Sequence, residues 1–306
     1  MPAMSKQNDH LIPWAPPGLS LLLVELSRLA LELQNQVLPT CKPDGSLVTP
    51  ADTRLEELLT VFLLENDPHC FVIGEETLAQ RGVDYLTAAM AGRTWVLDPI
   101  DGTALYALGI EGWGISIGLM QAGVLLEGVV AYPKRAVTGA SLEVVFSSGH
   151  SVLTAETALT ADNTVVLEQL ELVRHDLRVL PLIAGYPGQI STSQRFAKGG
   201  SYRGKHPIIC FGSSVLTFRL LMGGALAGYL VKLKLWDLAA VWPMAWRLGF
   251  RCAMSDGTAL DLKVSPKAWH TDPADPQFLA LRDHILFYHP DRLDPAVWRD
   301  FSLPAV

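Results

Sequence analysis

Trp95-Val96-Leu97-Asp98-Pro99-Ile100-Asp101-Gly102-Thr103 reads as a buried strand that ends in two carboxylates three residues apart. A strand end opens toward the surface while its backbone stays rigid, which suits a site that must hold its geometry. Pro99 stiffens the turn, so Asp98 and Asp101 can aim at one point with the Ile100 carbonyl between them. Three oxygens so placed suit a hard divalent cation, and Mg²⁺ in particular, which keeps the rest of its shell for water and substrate phosphate. Gly102-Thr103-Ala104 then starts a helical turn whose free N–H groups would make an anion site beside the metal. Taken alone, Asp, Pro and Gly are also what ordinary turns are made of. The reading therefore depends on what the rest of the chain adds.

Two further acidic clusters stand at element ends. Cys70-Phe71-Val72-Ile73 is a short buried strand that stops at Gly74-Glu75-Glu76, and Trp236-Asp237-Leu238 opens a last long helix expected to end by Gly249. Upstream, Thr49-Pro50-Ala51-Asp52 has an N-cap, a proline at the first helical position and a capping-box acid, so a helix is expected over 50–65. Leucines at helical spacing predict an earlier helix over 19–37, stopping before Pro39. Strands are expected over 114–121, 125–132, 143–147, 179–184, 207–211 and 229–234, and a helix from Ser213 to Met222. A change of composition near His150 divides the chain into an N-terminal α+β domain, 1–148, and a C-terminal α/β domain, 149–306.

Composition narrows the function. The chain has 306 residues, 49% hydrophobic and 18% charged, with net charge −7, which describes a compact globular protein. No surplus of Lys and Arg exists to neutralise a nucleic-acid polymer or an anionic membrane. A small phosphorylated metabolite stays open as a partner, because metal ions supply positive charge locally. The four cysteines form no C-x-x-C pair, the eight histidines form no H-x-x-x-H or H-E-x-x-H pair, and no Cys-x5-Arg loop offers a thiol nucleophile. The apolar segment 18–33 is interrupted by Glu25, Arg28 and Glu32 and follows prolines rather than a basic region. It is expected as an amphipathic surface helix of a cytoplasmic protein, not as a leader or a membrane span.

In order and spacing, Gly74-Glu75-Glu76, Trp95 to Thr103 and Trp236-Asp237-Leu238-Ala239-Ala240 resemble the signature motifs of the inositol monophosphatase-like family. Val48-Thr49-Pro50-Ala51-Asp52 and Gly212-Ser213-Ser214 are similar to its helix starts, and the resemblance runs from about residue 20 to about 265. It implies an α/β fold of the α+β kind, a layered αβαβα sandwich, with an antiparallel sheet and two long helices first and a mostly parallel sheet after. It implies a phosphomonoesterase using two or three Mg²⁺ ions. Glu75, Asp98 and the Ile100 carbonyl would bind the first, and Asp98, Asp101 and Asp237 the second. Glu75 would also reach a water or a third ion. Thr103 and Asp52 would orient and deprotonate the attacking water, with no covalent phosphoenzyme. Gly102, Thr103 and Ser213 would hold the phosphate. Lithium inhibition and a homodimer are further implications.

The substrate side departs from the family. Ala227 stands where many members carry an acid, and Leu230-Val231-Lys232-Leu233-Lys234 replaces a stretch that carries a sugar-binding carboxylate. Arg247-Leu248-Gly249-Phe250 replaces Glu-Ala-Gly-Gly. Loss of acceptors and gain of lysines point to a more anionic substrate, unless Lys232 and Lys234 are the solvated face of an alternating strand. Arg195, Lys198, Arg203 and Lys205 form a second basic stretch, in a mobile surface loop or clamping a distal phosphate or carboxylate. Inositol monophosphate, a sugar bisphosphate, histidinol phosphate and a 3′(2′),5′-bisphosphate nucleotide all stay open as substrates. A metal-binding homologue without turnover is the alternative from another class.

Overall fold

The computed structural model describes residues 11–34, 38–43, 45–136, 139–159, 175–176 and 185–303. The expected strand over 179–184 and the last three residues of the helix expected to reach Val37 lie outside the described residues.

Apolar alternation builds a seven-stranded sheet in the order Phe71–Gly74, Arg93–Asp101, Gly114–Gln121, Val124–Ala136, Gly139–Ser148, Ser151–Leu159 and His175–Asp176. The first pair is parallel and every later pair antiparallel. The turn between Gly139–Ser148 and Ser151–Leu159 is where the domain division was expected, and there the two strands pair residue for residue within one sheet. A second, six-stranded sheet has the order Ile208–Ile209, Gln189–Thr192, Leu226–Val231, Ile285–Tyr288, Arg251–Ala253 and Ala259–Leu260. Its first three strands are mutually parallel and the rest antiparallel, so it is mixed rather than mostly parallel.

Period-two alternation sends successive residues of one strand to opposite faces. Trp95 and Leu97 pack with helices Leu19–Gln34 and Pro50–Asn66, while Val96 packs with helices Ser214–Met222, Leu235–Ala239 and Val241–Arg247. The second sheet covers the far side of those three helices through Tyr229, Val231 and Phe287. Its outer face, carrying Ile190, Leu230 and Leu286, is closed by Phe196 of the short helix Gln194–Ala197 and by Val297 and Trp298 of a 3₁₀ segment. The result is the expected five-layered αβαβα arrangement.

The long helix expected from Trp236 is broken at Ala240 into Leu235–Ala239 and Val241–Arg247. Pro243 explains the break: it lacks an N–H and its ring opposes the carbonyl four residues earlier, at Ala239. The broken junction presses directly on the first sheet. Gly118 and Gly128 are paired across two strands, and a Cβ on Gly128 would lie 2.0 Å from the Ala240 carbonyl oxygen. On Gly118 it would lie 2.5 Å from the Ala239 carbonyl carbon. Only a glycine pair facing an alanine pair lets helix backbone meet sheet this closely. That contact brings Asp237 to the strand of Asp98.

The strand expected over 229–234 runs instead over Leu226–Val231, because Ala227 and Gly228 read as weak strand formers yet are central to the sheet. The strand expected over 207–211 shortens to Ile208–Ile209. The strands not anticipated include Ser151–Leu159, Gln189–Thr192 inside the Gly- and Ser-rich stretch, and Arg251–Ala253, Ala259–Leu260 and Ile285–Tyr288 of the second sheet. Among the described residues no helix is long and apolar enough to cross a membrane.

Candidate active site

The strand of Asp98 does not stop at Leu97 but continues through Asp101. Across from it, Asp98 pairs with Ser116 and Asp101 with Gly114, so three steps on one strand match two on the other. Three steps in a regular strand would send the two carboxylates to opposite faces. The one-residue bulge at Pro99-Ile100 cancels that and turns both to the same side.

Asp237, at the third position of helix Leu235–Ala239, comes from the facing layer and accepts a hydrogen bond from the Lys234 N–H at 2.9 Å. It therefore caps its helix and joins the site together. Asp98, Asp101 and Asp237 each offer an oxygen within 4.8 Å of the others. Asp98 and Asp101 are only 2% and 3% exposed.

Helix Ser214–Met222 orients Asp101. The Ser213 hydroxyl donates to Asp101 Oδ1 at 2.7 Å and the Val215 N–H donates to the same oxygen at 3.2 Å. Ser213 is thus engaged with a carboxylate while also capping the helix through the Leu216 N–H at 3.1 Å. Arg219, further along that helix, grips Glu143 of the first sheet with Nε at 2.9 Å and Nη2 at 2.7 Å. Asp101 Oδ2 and Asp98 Oδ1 are buried with no hydrogen-bond partner among the described residues.

Glu75 stands beside this trio and lines the same cavity. Lys42 holds it, with Nζ 2.9 Å from Glu75 Oε1 and 2.8 Å from Glu76 Oε1. Burial works against the Lys42 charge, but the two carboxylates outweigh it and raise its pKa. Glu56, fully buried, pins the Glu75 loop from below: its carboxylate accepts from the N–H groups of Glu76 and Thr77, both at 2.9 Å. A Cβ on Gly74 would fall 2.2 Å from the Glu56 carboxyl carbon, so only glycine fits above it. The sequence reading gave neither Lys42 nor Glu56 a place in the site. For Glu56 a signal was there, since it lies one turn after Asp52 on the face of Leu55 and Leu59.

The capping box expected at Thr49 is present, and it aims Asp52. Asp52 Oδ2 accepts from the Thr49 N–H at 2.8 Å and the Thr49 hydroxyl at 2.5 Å. This leaves Oδ1 to the Thr103 hydroxyl, 3.3 Å away, which also lies 3.1 Å from the Ile100 carbonyl. Gly102 caps the five-residue helix Thr103–Ala107, and Gly102, Thr103 and Ile100 all line the cavity, whose volume is about 510 Å³.

Burial, then the crowding of neighbouring carboxylates, raises the pKa of Asp98 and Asp237. Burial pushes Asp101 and Asp52 up to about 6 each and Glu76 to about 7. A set of oxygen donors with two unpartnered buried oxygens and uncompensated charge fits a divalent cation. No sulfur or imidazole belongs to it, which favours a hard ion over zinc.

Residues 23–274 match the model of the Inositol monophosphatase family. The chain is 29% identical over 259 residues to Inositol monophosphatase 2 of Homo sapiens, covering 82% of this chain and 84% of that one. It is 41% identical over 85 residues to Inositol-1-monophosphatase of Mycobacterium bovis, a stretch covering only 28% of either chain. Among solved structures, an IMPase/NADP phosphatase complexed with Mg²⁺ and phosphate superposes with a TM-score of 0.64 at 16% identity, covering 92% of both chains.

Proposed function

Because the chain belongs to the inositol monophosphatase family, we propose that it is a Mg²⁺-dependent phosphoric monoester hydrolase acting on a small phosphorylated metabolite. The observation that carries this is the convergence of Asp98, Asp101 and Asp237 from two layers, with buried oxygens left unpartnered. These three, with Glu75 and the Ile100 carbonyl, would hold two or three ions. Bound Mg²⁺ supplies positive charge to the phosphoryl oxygens and makes a nearby water easier to deprotonate.

The chain's own groups do the rest. Asp52 is fixed by Thr49 so that Oδ1 is free for the Thr103 hydroxyl. Once Thr103 donates to Asp52, its oxygen can accept a hydrogen bond from water and orient it toward phosphorus. The proton passes through Thr103 to Asp52 Oδ1, and a carboxylate with a pKa near 6 is a competent base at neutral pH. Gly102 and Thr103 would hold the phosphate at the start of their helical turn. Ser213 acts on it indirectly, by orienting Asp101. Lithium sensitivity and pairing of copies into a homodimer belong to the same reading and rest on family membership.

Phosphate release from a panel of inositol, sugar, histidinol and nucleotide phosphates, with and without Mg²⁺, tests the proposal. Asp98→Asn should reduce Mg²⁺-dependent release by about 10²–10³-fold or more, as loss of a main electrostatic stabiliser does. Wild-type rates in that variant, or no release from any ester by the wild type, would remove the reading.

A further inference from the structure

The alternation of the segment after Gly228 decides what faces the substrate. Val231 and Leu233 line the cavity, and the lysine between them does not. Lys232 Nζ donates to the Arg282 carbonyl at 2.9 Å on an exposed side, and Lys234 Nζ lies 5.1 Å above the Trp236 ring. Neither of the lysines that suggested a more anionic substrate lines the cavity, although Lys234 stays near enough to Asp237 to favour its charged form. Lys205, from the second basic stretch, lines a separate cavity with Arg292 and Asp294.

Leu47, from the strand Leu47–Val48, joins Val231 and Leu233 as aliphatic lining. Thr192, Ser193 and Gln194 supply neutral hydrogen-bonding groups to the same space. Among the described lining residues the charged side chains are Glu75, Asp98, Asp101 and Asp237, all committed to the metal corner. Away from the metal corner, a second phosphate or a carboxylate on the substrate would be desolvated with no described lining cation to receive it. On that aliphatic wall a polyol would press hydroxyls against leucine and valine, where they would be desolvated without a partner.

Building on the phosphatase reading, we infer that the preferred substrate is the single phosphate ester of an uncharged alcohol with an apolar flank. The flank lies on Leu47, Val231 and Leu233, and a polar edge faces Thr192 to Gln194. Hydrolysis forms a bond from water oxygen to phosphorus and breaks the bond to the alcohol oxygen. The alcohol oxygen leaves with a proton, giving free alcohol and inorganic phosphate.

The test compares kcat/KM of the Mg²⁺-loaded protein for cyclohexyl phosphate, myo-inositol 1-phosphate and fructose 1,6-bisphosphate. The first two share ring and phosphate and differ in hydroxyls. Cyclohexyl phosphate should show the lowest KM, by about tenfold over the inositol ester, and the bisphosphate the highest. Leu233→Glu should swing the ratio of the first two by about tenfold or more toward the inositol ester, a comparison that cancels their different intrinsic reactivity. Should that variant fail to fold, Leu233→Ala should raise KM for cyclohexyl phosphate several-fold more than for the inositol ester. Lys232→Ala should leave the ratio where it was. A wild-type preference for the polyol or the bisphosphate, or a ratio indifferent to position 233, would overturn the inference alone. Release from none of the three would overturn this inference, and release from no ester of the wider panel would overturn the phosphatase reading as well.

Discussion

The metal corner and the aliphatic wall belong to one cavity but are held in place by different means. Asp98 and Asp101 share a side because of a strand bulge, Asp237 arrives because two glycines admit two alanines, and Asp101 is turned by a helix N-terminus. Each is a backbone constraint, and each fails if a side chain intrudes. Val231 and Leu233 reach the cavity by strand-like alternation, which fixes where a side chain sits and says little about which one it must be. The acidic corner is therefore set by backbone constraints, whereas the wall beside it can take another side chain without a change of backbone.

The largest effect that would break this contrast is at the glycine contact. Gly128→Val should force the Ala239–Ala240 junction off the sheet and destabilise the fold by about 3 kcal/mol or more. A melting temperature within a degree or two of wild type would mean that the junction is not what seats Asp237.

A second effect isolates the charge stored in the corner. Without metal, burial and mutual repulsion raise the folded pKa values of Asp98, Asp101 and Asp237 above their unfolded values. The protonated acids favour the fold at low pH; for Asp101 this contribution is lost as pH rises from about 4 through about 6, and for Asp98 and Asp237 as pH rises through their own raised values. Mg²⁺ needs the ionised forms, so its stabilisation should grow over the same range. The rise in melting temperature on replacing EDTA with Mg²⁺ should be clearly greater at pH 7.5 than at pH 5. An equal rise at both would contradict the buried-carboxylate account.

The smallest effect sharpens the comparison by separating its halves. Glu56→Gln keeps the shape but weakens the hydrogen bonds to the Glu75 loop. It should raise the Mg²⁺ concentration for half-maximal activity about tenfold, in the manner of other residues that orient metal ligands. Its KM for the ester at saturating Mg²⁺ should stay near wild type. A raised KM with unchanged Mg²⁺ dependence would place Glu56 on the wrong side of the divide.

Much of the corner was legible in sequence because its signals are local. Thr49-Pro50-Ala51-Asp52 announces a helix start and the structure has the capping box; Asp98 and Asp101 sit three apart around a proline. The bulge was not legible, since a turn and a bulged strand end use the same residues. Glu56 was passed over because a glutamate inside a helix ordinarily faces solvent. Whether Lys232 and Lys234 face the substrate stayed open in the sequence, because alternation does not say which set faces inward until the neighbouring sheet is known. Strand Ser151–Leu159 was missed because its Thr, Ala and Glu residues carry little apolar alternation; the pairing with Gly139–Ser148 makes it a strand.

By itself the sequence determined the family, the layered fold class and the carboxylates proposed to bind metal, since caps, bulk alternation and motif spacing are short-range properties. Only the tertiary structure decided that Asp237 meets Asp98 and Asp101, that Ser213 is spent on Asp101, and that Val231 and Leu233 rather than Lys232 face the cavity. Those outcomes depend on how two sheets sandwich three helices, and on a glycine pair that lets them close, which no single segment specifies.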